Sequence, residues 1–278
     1  MSDMQTLVWL ASYPKSGNTW LRAFLANYLF HVDGPAGFEH IQRVSSGDSP
    51  AASYRELAGQ DPHTLPLGQH MQIRHRHLAR IAQNGAPVNF VKTHAPVASF
   101  GNAALIPPQV TRQAIYLVRH PLDMLISYAD HWGIGLEAAA EQIGRPTNSI
   151  PPSAKTVVQF LGSWSDHVTS WANTTAFPVL TLRYEDMLSD PEAEFEKVLR
   201  HIDAPVDKST LKQSVAHTSF KAMVALESET GFDERGPRQQ RFFRKGTSGQ
   251  WRDAVPAEIA DRVVAQHSSA MRKFGYLE

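Results

Sequence analysis

Residues 12–20 read SYPKSGNTW, behind the apolar run Thr6–Ala11 (TLVWLA) and ahead of a helical apolar pattern from Leu21 to Phe30. The implied order is strand, tight loop, helix. It turns backbone N–H groups and a helix N-terminus toward whatever the loop surrounds, and both favour an anion. This is the layout of a phosphate-binding loop, but not its usual residues. The ATP-type consensus G-x-x-x-x-G-K-[ST] places Lys after the second Gly, whereas here Lys15 precedes Gly17 and the first Gly is missing. Ser16 to Thr19 offer N–H donors, two hydroxyls and the Asn18 amide, with Lys15 on the approach side. Taken alone, such a run reads equally as a turn with an ordinary cap, so the nature of its anion depends on the rest of the chain.

Four segments read as strands: Leu7–Tyr13, Val88–Thr93 (VNFVKT), Ala114–Arg119 (AIYLVR) and Val179–Tyr184 (VLTLRY). Each is nearly continuous in apolar or aromatic residues, as expected of a parallel sheet covered on both faces. Helical patterns at Trp20–Phe30, Leu122–His131 and Glu192–His201 alternate with them, the last preceded by Asp190 as a cap and Pro191 in the first turn. The alternation predicts an α/β fold: one domain over residues 1–278, of P-loop type, with a central parallel β-sheet flanked by helices. Ligands of such sheets sit at the carboxyl ends of the strands. Two stretches break the pattern, 133–163 and 228–249, and both read as long substrate-side loops.

Composition narrows the function. The 278 residues hold 27 Lys plus Arg against 27 Asp plus Glu, which argues against a nucleic-acid partner. The chain has no Cys, so thiolate nucleophiles, disulfides and Cys-held zinc are excluded. No run approaches a membrane span, and a soluble, cytoplasmic protein is the expectation. The 13 His are scattered, and RHRH at Arg74–His77 reads as a solvated helix face rather than a metal site.

Two further motifs suit anions. In YLVRHPLDMLISY (Tyr116–Tyr128), Arg119 ends a strand, Pro121 opens a helix and Ser127 follows eight residues after the Arg. Arg119 can fork a phosphate and Ser127 can donate a hydroxyl to it, although a salt-bridging Arg and a backbone-bonded Ser explain the pair as well. In FRKGTSGQW (Phe243–Trp251), Arg244, Lys245 and the Gly246 backbone can wrap an anion from above. Together these features suggest two separate phosphate-like groups. The strand that ends in Arg119 lacks the Asp that a Mg²⁺-dependent NTPase would want near a strand end.

These segments resemble the PAPS-dependent sulfotransferase family of the cytosolic type, PAPS being 3′-phosphoadenosine-5′-phosphosulfate. YPKSGNTW is similar to that family's 5′-phosphosulfate loop P-K-[SA]-G-[TN]-T-W, RHPLDMLISY to its 3′-phosphate motif and RKGTSGQW to its R-K-G-x-x-G-x-W flap. VKTHAP, LRYEDM and HTSFKAM also have counterparts, in the same chain order. The likeness runs from Leu7 to Trp251 and diverges at Gly133–Ser163 and near Ser45–Gln83. It implies transfer of a sulfuryl group from PAPS to a hydroxyl, less often an amine, with adenosine 3′,5′-bisphosphate as product and no metal. By the same resemblance His94 is the general base, and Lys15 and Lys92 stabilise the transferring group. Ser16, Gly17, Asn18, Thr19 and Trp20 contact the 5′-phosphate. Arg119, Ser127, Arg244, Lys245 and Gly246 hold the 3′-phosphate. Tyr184, Thr218 and Phe220 lie near the adenine.

Some positions depart from the family pattern. Asn18 stands for the commoner Thr, and Gln250 and Arg252 for the flap's usual Asp and Lys. The family's dimer-forming segment is not recognisable in AVPAEIADRV, so no oligomeric state is carried over. Two other readings are a small-molecule kinase using Mg-ATP and a catalytically silent nucleotide-binding protein. The acceptor stays open among phenols, lipids, glycans and peptide natural products, with Trp132, Trp164 and Phe38 as pocket or core residues alike.

Overall fold

Leu7–Ser12 form the central strand, β1, whose successive residues bury into opposite faces. Leu7, Trp9 and Ala11 enter one apolar cluster, and Val8 and Leu10 enter the other. Cover on both sides explains why the run shows no polar alternation. The computed structural model describes residues 6–30, 34–236 and 239–278. Four more strands, β2 (Ser46–Gly47), β3 (Asn89–Thr93), β4 (Thr111–Val118) and β5 (Val179–Arg183), complete a parallel sheet ordered β2-β3-β1-β4-β5. The four strands read from the sequence are β1, β3, β4 and β5. β2 was not anticipated, because two residues are too few to show a period.

Helices cover both faces. Asn18–Phe30 and Pro191–His201 close one side through Leu21, Phe24, Phe195 and Leu199. Leu67–Ala82, Pro121–Trp132, Trp164–Asn173 and Ala257–Lys273 close the other through Leu78, Leu125, Val168 and Val263. Asp190 caps its helix as expected, accepting from the Ala193 N–H at 3.0 Å with Pro191 behind it. The chain runs from β1 to one side and later returns to the other, so the strand order reverses at β1. That reversal opens a crevice at the carboxyl end of β1, between the ends of β3 and β4. No helix among the described residues is long and apolar enough to cross a membrane.

Three expectations need correction. The stretch 133–163 is not a bare loop: it holds the helix Leu136–Gly144 and the antiparallel pair Ser149–Ile150 with Gln159–Phe160. Its Ala-rich apolar face, Ala139, Ala140 and Ile143, packs in the cluster that includes Val263, and small side chains give a weak periodic signal. The stretch 228–249 begins inside the helix Phe220–Thr230 and is irregular beyond it, with residues 237 and 238 outside those described.

The RHRH run is not a solvated face either, since Arg74 and His77 are buried. Arg74 Nη2 meets Asp48 Oδ2 at 2.8 Å, and its Nη1 donates to the Asp48 carbonyl at 3.2 Å. Thr93 Oγ1 donates to the same carboxylate oxygen at 2.5 Å, and His77 Nε2 donates to the Gly47 carbonyl at 2.9 Å. Alternation with Arg hid a helix that turns one Arg and one His inward to secure the ends of β2 and β3.

Burial works against the charge of Asp48, yet the Arg74 guanidinium outweighs it and holds the carboxyl below its usual range. Removing the Arg leaves a buried carboxylate without its counter-ion. Arg74→Met is therefore expected to lower stability by about 3–5 kcal/mol, measured as a reduced denaturant midpoint at unchanged slope.

Candidate active site

The loop after β1 is built around two unusual backbone conformations. Lys15 sits at φ +67° and Gly17 at φ +104°. A left-handed conformation is costly for Lys and costs Gly little, so such strain persists only where the surroundings enforce it. At Gly17 the surroundings are the Tyr184 ring, which a Cβ would approach to 2.9 Å. The Gly17 carbonyl accepts the Trp20 and Leu21 N–H groups at 2.9 and 3.2 Å and starts the helix. The N–H groups before them have no partner within the helix and face the crevice with the positive end of its dipole.

Several polar atoms here are buried without a hydrogen-bond partner: Lys15 Nζ, Ser16 Oγ, Trp20 Nε1 and Arg119 Nε. Lys15 Nζ lies 3.6 Å from the centroid of the Phe242 ring, under an aromatic roof. Burial lowers its pKa to about 7, and Glu234 opposes that shift while Arg119 adds to it. The Asn18 amide faces inward. Its Nδ2 donates to the Leu10 carbonyl at 2.9 Å and its Oδ1 accepts from Arg22 Nε at 3.2 Å. The amide therefore ties the helix to β1, and only the Asn18 backbone is directed at the crevice.

His94 follows β3. Its Nδ1 lies 2.8 Å from the Ser12 carbonyl, which can only accept. The proton is thus on Nδ1, and Nε2 keeps its lone pair. Burial, then the neighbouring Lys92, lowers the His94 pKa to about 4, so the ring is neutral near pH 7. Behind it, Tyr116 Oη donates to His167 Nδ1 at 2.9 Å, and His167 Nε2 donates to the His94 carbonyl at 3.0 Å. His167 is fully buried, and burial lowers its pKa to about 3. This relay holds the backbone of His94, and Trp171 Nε1 does the same for the Ala95 carbonyl at 3.1 Å.

Arg119 ends β4 and stacks over Tyr184, 4.3 Å from guanidinium carbon to ring centroid. Its Nη1 donates to the Lys15 carbonyl at 3.1 Å and its Nη2 to the Thr247 carbonyl at 3.4 Å, joining the first loop to the flap. Asp123, in the same motif, secures the flap from below: its carboxylate accepts the N–H groups of Gly249 at 2.5 Å and Trp251 at 3.1 Å. His120 stacks on Trp251 with centroids 5.3 Å apart. Gly246, at φ +62°, lies so close to Phe220 that a Cβ would meet its ring at 2.2 Å. Arg244 and Lys245 remain exposed at the rim.

All of this surrounds one cavity of about 900 Å³. Every site residue expected from the sequence lines it except Ser16, whose hydroxyl is buried just beneath. Of the three aromatic residues that were open between pocket and core, Trp132 lines the cavity, Trp164 is fully buried in the core and Phe38 packs on Phe232 at 4.2 Å. Sequence reading missed Asp123, His167, Arg22 and Glu234. Asp123 was visible only as an acid inside a basic motif, and His167 as one of many His. Arg22 follows Asn18 by one helical turn, a spacing that could have flagged it. Among the described residues no group of three or more His, Asp or Glu is placed to hold a metal ion.

Comparison with known proteins points one way. The family model described as the sulfotransferase domain matches residues 5–275. Sulfotransferase 1A1 of Canis lupus familiaris is 26% identical over 284 residues, covering 96% of this chain and 83% of the relative. Sulfotransferase 1B1 of the same species is 27% identical, covering 88% and 76%. Among solved structures, mouse sulfotransferase SULT7A1 complexed with PAP aligns with TM-score 0.60 at 22% identity over 96% of this chain and 85% of that one. Retinol dehydratase in complex with androsterone and the inactive cofactor PAP aligns with TM-score 0.63 at 18% identity, covering 96% and 81%. These two structures share the fold.

The Asp123 clasp makes a local prediction. Two N–H bonds to a carboxylate contribute about 1.5–3 kcal/mol each. Asp123→Ala is expected to speed hydrogen exchange at the Gly249 and Trp251 amides by about a hundredfold or more, while the amides of β1 and β4 keep their protection.

Proposed function

This chain belongs to the sulfotransferase family, and we propose that it moves a sulfuryl group from PAPS to a hydroxyl of a small organic acceptor, releasing adenosine 3′,5′-bisphosphate. The observation that carries this reading is the set of buried polar atoms without internal partners, Lys15 Nζ, Ser16 Oγ and Arg119 Nε, gathered at the cavity that also takes in His94. Such atoms are costly to bury unless a ligand satisfies them, and these suit an anionic one. When bound, PAPS supplies an activated S–O bond in a mixed phosphoric–sulfuric anhydride.

The residues divide by position. The backbone of Ser16 to Trp20, with the Ser16 and Thr19 hydroxyls, receives the 5′-phosphate at the helix N-terminus. Arg119 and Ser127, with Arg244, Lys245 and Gly246 on the flap, hold the 3′-phosphate. Tyr184, Thr218 and Phe220 enclose the adenine, with the Thr218 hydroxyl donating to the Ser214 carbonyl at 2.9 Å and accepting from the ligand. His94 Nε2 takes the acceptor's proton as the acceptor oxygen bonds to sulfur and the sulfur–oxygen bond to the phosphate breaks. Lys15 and Lys92 stabilise the charge that collects on the departing oxygen. Positioning and charge do the work, and the chain itself forms no covalent intermediate.

The acceptor end supports a partly apolar alcohol. Trp132, Ile150, Pro151 and Pro152 line the cavity, and one neighbour of this fold, retinol dehydratase, has been crystallised with retinol and with androsterone. Incubation with sulfur-labelled PAPS and a library of small alcohols and phenols tests the reading, with mass analysis for products that gain SO₃. A protein that binds Mg-ATP tightly and ignores the 3′-phosphate would overturn it.

Two outcomes follow for kinetics. His94→Ala should lose about 10²–10⁴-fold in kcat while binding adenosine 3′,5′-bisphosphate with unchanged affinity in calorimetry. The pH profile of kcat/KM reports the free protein. It should rise through about 4 as His94 loses its proton, and fall through about 7 as Lys15 loses the charge that attracts the donor.

A further inference from the structure

Glu234 lies in the irregular segment after the helix Phe220–Thr230, in a stretch that otherwise contributes cations to the site. Its carboxylate is seated inside the crevice. Oε1 and Oε2 accept from Arg22 Nη2 at 2.7 and 2.8 Å. Oε2 also accepts from Lys92 Nζ at 3.1 Å and from Thr19 Oγ1 at 3.4 Å. Burial works against this charge, yet Lys92 and Arg22 hold the carboxyl well below its usual range.

Three observations give this arrangement meaning. First, the groups that grip the carboxylate belong to the donor end: Thr19 stands at the helix N-terminus and Lys92 is two residues before His94. Second, Arg22 is only 3% exposed. Its Nε is fixed by Asn18 Oδ1 at 3.2 Å, which leaves Nη2 for Thr19 and the carboxylate. A buried guanidinium so placed needs an anion at that point. Third, the segment is anchored on both sides of Glu234. Phe232 is buried against Phe38 and Phe243, and Gly236 fits so closely that a Cβ would meet the His131 carbonyl at 2.1 Å. The flanking Asp233 and Arg235 are exposed. The carboxylate can thus leave by rotation of its own side chain, without movement of the anchors.

We propose that Arg22 is a ligand of the donor's 5′ anion, and that the Glu234 carboxylate is an internal stand-in for that anion on Arg22, Lys92 and Thr19. The proposal rests on the sulfotransferase reading. Donor entry exchanges one carboxylate for a doubly charged phosphosulfate on the same three groups, and Glu234 turns out to solvent. The exchange weakens the donor's apparent affinity by the fraction of molecules in which Glu234 is unseated. Seating in about nine-tenths of molecules would weaken it about tenfold.

Calorimetry on the full chain tests this with three nucleotides: PAPS, adenosine 3′,5′-bisphosphate and adenosine 3′-monophosphate, which has no 5′ anion. Glu234→Ala and Glu234→Gln should bind PAPS about tenfold and a few-fold more tightly than the wild type, respectively, and adenosine 3′-monophosphate equally well. Tightening for the bisphosphate as well places Glu234 at the phosphate half, and its absence places Glu234 at the sulfuryl half; both support the proposal. Arg22→Gln, checked for folding by thermal unfolding, should weaken PAPS about tenfold and leave the monophosphate unchanged. If Arg22→Gln does not fold, the two Glu234 variants decide. Equal PAPS affinity in wild type and Glu234→Ala, or equal tightening for all three nucleotides, overturns the proposal while leaving the sulfotransferase reading intact. If the wild type binds none of the three, both fall.

Discussion

Too much positive charge in too little water is the constraint on which this structure turns. Lys15, Lys92, Arg22 and Arg119 converge at the carboxyl ends of three adjacent strands, and none of them is mostly exposed. Burial depresses the pKa of Lys15, and the like charge of Arg119 adds to that shift while Glu234 opposes it. The fold answers with a roof of Phe242 over one lysine, a ring of Tyr184 under one guanidinium, and the carboxylate of Glu234 between the other two cations. The sheet holds the cations in place. An anion makes the arrangement favourable.

Behind the cations stands a supporting layer whose members never reach the cavity or only edge it. Asp48 and Arg74 secure the end of β2 against β3. Tyr116 and His167 fix the carbonyl of His94, while Ser12 fixes its ring. These contacts are buried and come from strands and helices far apart in sequence. They hold an imidazole at the end of a strand in a defined tautomer, with Nε2 keeping its lone pair. The orientation of such a side chain is set by its partners as much as by the residue itself.

The flap shows the same division between chemistry and support. Arg244 and Lys245 stand exposed, but the chain that carries them is held by Asp123, by the His120–Trp251 stack and by the fit of Gly246 on Phe220. One motif, RHPLD, thus provides the Arg that joins the first loop to the flap and the acid that clasps the flap.

The sequence alone determined the alternation of strand and helix, because strands buried on both faces are written as unbroken apolar runs. It also marked out the contiguous motifs that meet at the cavity: the loop 12–20, His94 in VKTHAP, Arg119 and the flap 243–251. In each, the residues singled out lie a few positions apart, and local spacing expresses their relation. Only the tertiary structure decided which face of Arg74–His77 was buried, that Ala139, Ala140 and Ile143 belonged to a helix, and that the Asn18 amide turned inward. It alone brought Glu234 to Arg22, 212 positions away, and His167 to His94, 73 positions away. The physical reason is that a charge or a hydrogen-bonding group acquires its role from what surrounds it, and those surroundings are assembled by packing across the sheet.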